Sequence, residues 1–469
     1  MPHLLLKQFL PHPLHPEVIA GLHGQAASVH WKGINASALA LHIAAISEQS
    51  ALPQWIILND RDEAAALHAD LENVLGERDA EFYKKAVIFF PSPYKTPEKP
   101  GAIDNNNVLM RTEVLKRVGA ESRRMIIVTH VAAMSDYVVT QGFLRENTFR
   151  LKKGEMVDLD FVADFLIEYA FERVDFVAEP GQFAIRGGIV DVFSFSNDFP
   201  YRIEFLGDEV ASVRSFDPVS QLSKDKVDHI TIVPNLQLRK EDESRQPVFG
   251  LIPPKTVTWI QDPLFASETL DKLANQHGDT DDTDDEPIAR VQRIRGKELQ
   301  HHLQSGRTIE LGSTAILAGS VPVMAEQSPQ PAFNKKFDLL LRDLKQWSDK
   351  GYGLYLLSDN PKQLERIRNI FADIDEGVEL QWTGAVPSLH HGFVDHQIRL
   401  VCYTDHQIFE RYRKTALQDG YARREALTIK ELLSLQPGDY VSHIDHGIGR
   451  FDGLETIENN GRMQEAIRL

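Results

Sequence analysis

Between Glu179 and Pro218, short apolar runs rich in Val, Ile and Phe alternate with turn residues, and Pro180-Gly181, Gly187-Gly188 and Gly207-Asp208 supply the breaks. Such punctuation predicts a meander of antiparallel strands. Along Tyr201–Leu206 successive side chains point to opposite faces. Tyr201, Ile203 and Phe205 therefore share the core face, and Arg202, Glu204 and Leu206 the outer one. By the same alternation Phe183 and Ile185 turn inward and Ala184 and Arg186 outward. Two neighbouring strands would then offer a small residue, a leucine and two arginines to solvent. That face suits docking to a protein, because a guanidinium binds carboxylates bidentately while its stem buries apolar area. The alternative for each arginine is a surface ion pair, Arg202 with Glu204 or with a cross-strand acid, worth about 0–1 kcal/mol.

From about Ala27 to Val139 the pattern alternates strand and helix. Val29–Trp31, Trp55–Leu58, Val87–Phe90 and Met125–Val128 read as strands. Ala36–Glu48, Asp62–Leu75 and Val108–Val118 read as helices, the second capped by Asn59 or Asp60. This order implies a parallel sheet covered on both faces by helices. An amphipathic helix, Leu159–Phe171, precedes the meander, with Phe161, Phe165, Leu166 and Tyr169 expected in the core. After Val219 the chain is expected to return to the first domain through strands at Ile230–Val233 and Val257–Ile260. A Pro-rich break at Ser328–Pro331 leads into a second, smaller α/β unit, and Pro437-Gly438 opens a β-barrel-like module. The fold class is thus multidomain α/β: a degenerate P-loop-like domain (1–140 and 219–330), an inserted α+β domain (141–218), a small α/β spacer (331–428) and the start of a barrel (429–469). The apolar run at Glu465–Leu469 reads as an unfinished strand, as truncation would leave it.

Composition narrows the function. The 469 residues carry 42% hydrophobic and 25% charged residues, as in ordinary globular proteins. No stretch approaches a membrane span, and the Pro-rich opening does not fit a signal peptide, so a cytoplasmic location without membrane contact is expected. The single cysteine, Cys402, excludes an intramolecular disulfide. A net charge of −17 argues against a nucleic-acid clamp acting by itself. Short basic clusters at Arg411–Lys414 and Arg423-Arg424 read as solvated helix faces.

Chemistry by this chain is not expected. A phosphate-cradling loop needs clustered glycines, a lysine for the terminal phosphates and a hydroxyl for magnesium. The first strand-to-helix turn, Gly33–Ala40, keeps Gly33 and Ser37 but has Leu39 and Ala40 where the lysine and hydroxyl would stand. No nucleotide or other cofactor, and no catalytic residue, is expected here. Asp62-Glu63 opens a helix, where carboxylates favour the dipole. The acidic run Gly278–Glu286 lacks an EF-hand's central glycine and terminal glutamate. His443, Asp445 and His446 crowd one tight turn, so no metal is expected at either place.

Two motifs carry a resemblance. Pro180–Phe183, Arg186–Phe193, Tyr201–Glu209 and Arg214–Gln221 resemble the inserted domain shared by the UvrB excision-repair proteins and the Mfd family of transcription-repair coupling factors. Leu435–Leu454 resembles the start of the CarD-like RNA-polymerase-interacting module that the Mfd family has and UvrB lacks. The resemblance implies the amino-terminal portion of a coupling factor, which recruits UvrA to RNA polymerase stalled at DNA lesions. It implies that Arg186 and Arg202 contact UvrA, with Leu206 at a position that can be Phe in the family. It further implies that the carboxy-terminal module meets the polymerase β subunit. A motor beyond Leu469 would use ATP and magnesium to translocate on double-stranded DNA. The alternatives are a non-catalytic CarD-like regulator or scaffold, and a UvrB-like helicase subunit.

Overall fold

Seven parallel strands, all but the edge strand Val321–Met324 largely buried, form the main sheet of the computed structural model. It describes residues 3–24, 27–35, 37–94, 103–118, 125–236, 245–275, 292–375, 380–411, 436–443, 447–459 and 462–468. Across the sheet the strands run Val321–Met324, Ala27–Lys32, Arg307–Leu311, Val257–Gln261, Gln54–Leu58, Ile126–His130 and Val87–Phe90. Both faces are covered, so alternate residues of one strand enter different cores: Ile56 and Leu58 pack on one side, Trp55 and Ile57 on the other. This explains why the strands read as continuous apolar runs. The helix Arg61–Leu75 starts where Asp60 accepts a hydrogen bond from the Glu63 amide at 2.9 Å, and it ends at left-handed Gly76. Asp62 and Glu63 lie in its first turn, as expected from the dipole.

The inserted segment has its own six-stranded sheet, ordered Ser223–Lys226, Glu209–Phe216, Tyr201–Leu206, Ile189–Val192, Gln182–Arg186 and Glu172–Arg173. Four of these strands are the predicted meander. Two expectations are corrected. The strand expected at 230–233 does not join the main sheet. His229–Ile232 pairs with Phe149–Lys152 in a two-stranded ribbon, and the chain re-enters the main sheet at Val257. The helix Leu159–Glu168 buries Val162 and Leu166, while Phe161 is 57% exposed against Phe149. The short helix turns a narrower stripe inward than its four apolar positions suggested.

A third, mixed sheet runs Gln327–Pro329, Phe393–Asp395, Leu400–Thr404, Gly353–Leu357 and Thr383–Ala385. Helices Phe337–Asp349 and Pro361–Ile374 cover it through Leu340, Leu344, Ile367 and Phe371. Its other face shares a core with the first domain, where Leu389 and Phe393 join Phe9, Trp31 and Leu41. Residues 421–469 form a separate unit. Within it, Tyr440–His443 pairs with Gly447–Arg450, and Gly453–Asn459 with Arg462–Arg468, as antiparallel hairpins. No described helix is long and apolar enough to cross a membrane. The acidic run at 278–286, the basic residues 412–414 and 423–424, and Asp445 and His446 lie outside the described residues.

Candidate docking site

Strand alternation places Arg202, Glu204 and Leu206 on the outer face of Tyr201–Leu206, while Ile203 and Phe205 are buried beneath. The strands bearing Arg186 and Arg202 are not neighbours, however. Ile189–Val192 lies between them and brings Asp191 opposite Ala184 on one side and Arg202 on the other. Asp191 is 1% exposed and is the centre of the site. Its Oδ1 accepts from Arg202 Nε at 2.8 Å and its Oδ2 from Arg202 Nη2 at 2.9 Å. Arg186 Nη2 donates to the same Oδ2. Two guanidinium groups thus converge on one carboxylate, and this bond holds the Arg202 pKa above its usual value.

The two arginines differ in exposure. Arg202 is largely covered, its side chain 18% exposed and its guanidinium 4.6 Å above the buried Phe216 ring. Arg186 is 41% exposed, donates to the Asp175 carbonyl at 3.0 Å and lies over the exposed Phe176 ring at 5.5 Å. Leu206 is 77% exposed at the strand end. Ala184 lies on the outer face but is buried, so the small residue expected at the surface does not reach solvent. The predicted alternative for Arg202 resolves to the cross-strand acid. Glu204 instead pairs with Arg214 and accepts from the Ser212 hydroxyl at 2.6 Å. Asp191 was missed because the apolar neighbours Val190 and Val192 make its run look like core. The available signal was its alternation phase, which matches that of the arginines.

At the turn that would hold a phosphate, the chain fills its own space. Gly33 adopts φ 75°, and a Cβ there would lie 2.1 Å from the Ala325 carbonyl oxygen. The Ser37 hydroxyl donates to Asp70 Oδ2 at 2.5 Å and accepts the His391 amide at 2.9 Å. Asp70 Oδ1 accepts from the His390 amide at 2.9 Å and lies 2.8 Å from His390 Nδ1. Ser37 and Asp70 thereby fasten the first domain to the 390–391 segment of the third sheet's domain. A cleft of about 420 Å³ remains beside them, with Glu63 and Asp70 among its walls.

A family model described as the UvrB interaction domain matches residues 149–237, and one described as the CarD-like/TRCF RID domain matches 435–469. The transcription-repair-coupling factor of Bacillus subtilis is 23% identical over 96% of this chain and 44% of its own length. Those of Myxococcus xanthus and Escherichia coli are 24% and 22% identical over 92% and 93% of this chain, and 43% of each relative. Along almost its whole length the chain is similar to transcription-repair-coupling factors. It spans less than half the length of the curated relatives it matches.

A histidine cluster, invisible to motif reading, lies between the amino-terminal helices and the third sheet. His12, His15 and His42 are buried, and their ligand-type atoms lie within 4.8 Å of one another. Each already has a partner. His15 Nε2 is 3.0 Å from His42 Nδ1, His42 Nε2 is 2.9 Å from the Gln327 amide nitrogen, and His12 Nε2 is 3.3 Å from Asp395 Oδ2. His12 Nδ1 accepts from the Leu14 amide at 3.3 Å, which leaves the proton on Nε2, facing Asp395. A metal bound through Nε2 would have to displace that proton, so the arrangement fits a hydrogen-bonded chain better than a metal centre. Burial, reinforced by the neighbouring imidazoles, lowers the His15 pKa to about 4 and moves that of His42 well below its usual value.

Proposed function

We propose that this chain recruits UvrA in transcription-coupled excision repair through the outer face of its six-stranded sheet. Arg186, Arg202 and Leu206 are the contact residues. The observation that carries this reading is the convergence of Arg186 and Arg202 on buried Asp191, with Leu206 exposed on the same face, inside the segment that matches the UvrB interaction domain. Asp191 fixes the two guanidinium groups before any partner arrives, and pre-organised arginines lose less side-chain entropy on binding. Arg186 retains enough exposed surface to take a partner carboxylate.

Residues 435–469 match the CarD-like polymerase-interacting domain, and we propose that they begin a barrel that contacts the RNA polymerase β subunit. The main sheet is a P-loop-like fold whose phosphate turn is degenerate, with Ser37 engaged by Asp70 and His391. Translocation on double-stranded DNA, with its ATP and magnesium, is therefore assigned to other parts of the full-length factor. The same turn weighs against a UvrB-like helicase. A regulator built on the CarD-like module alone gives the docking face no role. Calorimetric titration of UvrA into this chain tests the reading: wild type binds, and Arg186→Ala weakens binding about 30-fold if the residue is an anchor of about 2 kcal/mol. Equal binding by the two proteins rejects it.

A further inference from the structure

A second surface of the inserted segment has different chemistry. In the ribbon of Phe149–Lys152 and His229–Ile232, Lys152 lies opposite His229 and Arg150 opposite Thr231. Strand alternation puts these four on one face and Leu151 with Ile230, both buried, on the other. The first face opens on a groove of about 640 Å³, whose far wall is formed by Thr112 and Lys116 of helix Asn105–Val118 and by Gln141 and Arg145 of helix Gln141–Glu146. Glu155 is the only acid among the lining residues, and its carboxylate accepts the Lys152 backbone amide at 2.8 Å. Lys116 shares Glu113 with Arg117, whereas Arg150 and Lys152 form no ion pair among the described residues. In a chain of net charge −17, this concentration of cations does not follow from composition.

We propose that this groove holds the phosphodiester backbone of a nucleic acid, without regard to sequence. Cations on both walls, with the Thr231 hydroxyl on the ribbon, are groups that contact phosphate oxygens. No Phe, Tyr or Trp lines the groove among the described residues, so it lacks the large rings on which bases stack and the aromatic anchors that protein partners favour. Leu144 gives it an aliphatic floor on the helix side. The acidic remainder of the chain opposes approach at long range, which makes the interaction weak and steeply dependent on salt. This goes beyond UvrA docking, which uses the other sheet of the segment.

The test is fluorescence anisotropy of the whole chain with a labelled duplex and a labelled single strand across a salt series. Wild type binds at low salt. Arg150→Gln combined with Lys152→Gln weakens binding about tenfold or more and makes the slope of log affinity against log salt shallower by about 1.8 for duplex or about 1.4 for single strand. Lys116→Gln with Arg145→Gln, on the opposite wall, gives the same direction of change and serves if the ribbon variant fails to fold. Arg423→Gln with Arg424→Gln leaves the slope unchanged. Absence of wild-type binding at the lowest salt, or a slope unaltered in both groove variants, overturns the proposal. Displacement of the DNA by polyglutamate at equal charge also overturns it, in favour of an acidic protein. UvrA titration is expected to be unaffected by the groove variants, so this proposal and the docking reading fail separately.

Discussion

Arg202 meets Asp191 fork to fork, with Nε 2.8 Å from one carboxylate oxygen and Nη2 2.9 Å from the other, and the carboxylate is closed off from water. A buried charge stripped of its partner costs several kcal/mol, whereas an exposed pair is worth about 0–1 kcal/mol. Arg202→Ala is therefore expected to destabilise the inserted domain by about 2–3 kcal/mol, since Arg186 remains to hold Asp191. Arg186→Ala is expected to cost under about 1 kcal/mol. Urea melts of both variants check this difference. Equal losses would show that the two arginines share the carboxylate evenly. Weakened UvrA binding by an Arg202 variant is informative only when its melt is intact, which makes Arg186 the cleaner probe.

Leu206 stands clear of the fold, at 77% exposure, next to the Gly207-Asp208 turn. Leu206→Asp removes no buried area, so stability is expected to change by less than about 0.5 kcal/mol. A carboxylate placed on a docking face would be desolvated without a partner and should weaken UvrA binding by about tenfold or more. Leu206→Phe, which adds apolar area at the same position, is expected to tighten it. Titration of the two variants in parallel decides the matter. Opposite shifts support contact at Leu206, and matching wild-type affinities remove it from the site.

Asp70 serves three bonds, with the Ser37 hydroxyl, the His390 amide and the His390 ring, while Ser37 in turn accepts the His391 amide. Asp70→Ala leaves buried donors unmet, each at about 1–3 kcal/mol, and is expected to lower the melting midpoint sharply. Ser37→Ala should cost about 1–2 kcal/mol by the same logic. Neither variant is expected to alter ATP turnover, which should stay at buffer background in wild type. Magnesium-dependent turnover lost on mutation of Ser37 would return this turn to nucleotide chemistry.

The parallel sheet was legible because its strands are buried on both faces: Trp55–Leu58 and Val87–Phe90 are unbroken apolar runs, and Asp60 and Gly76 mark the limits of the helix between them. The outward phase of Arg202 and Leu206 was legible for a similar local reason. What the sequence hid is whatever depends on partners far along the chain. Strand pairing put Ile189–Val192 between the two arginine strands, and no local pattern reports which strand is neighbour to which. His229–Ile232 carries a good strand pattern, yet the pattern does not say that its partner is Phe149–Lys152. Ser37 finds Asp70 33 residues away, and Asp70 finds His390 320 residues away, so their network had no sequence signature.

His15 and His42 couple the amino-terminal helices to the rest of the fold, and they should make that junction labile in acid. His15 is a member of helix His15–Gly21 and bonds His42 of helix Ala38–Ser50, whose far nitrogen meets Gln327; Gln49 lies against the other nitrogen of His15, and His12 pairs with Asp395. Phe9 and Trp31 close the cluster with rings 5.0 and 4.7 Å from His42, so a proton there would gain little solvation. With its folded pKa lowered to about 4 from 6.5, His15 takes up a proton more readily when unfolded. The stability it contributes is complete above about pH 6.5 and declines as the pH falls toward 4. Taken alone, a shift of that size corresponds to about 3 kcal/mol at most, and His42 acts in the same direction. Thermal melts between neutral pH and pH 4, followed by tryptophan fluorescence, should therefore fall more steeply for wild type than for His15→Gln or His42→Gln. His229→Gln, at an exposed position, should track wild type. Parallel curves for all four proteins would show that acid acts on this chain elsewhere, through its carboxylates.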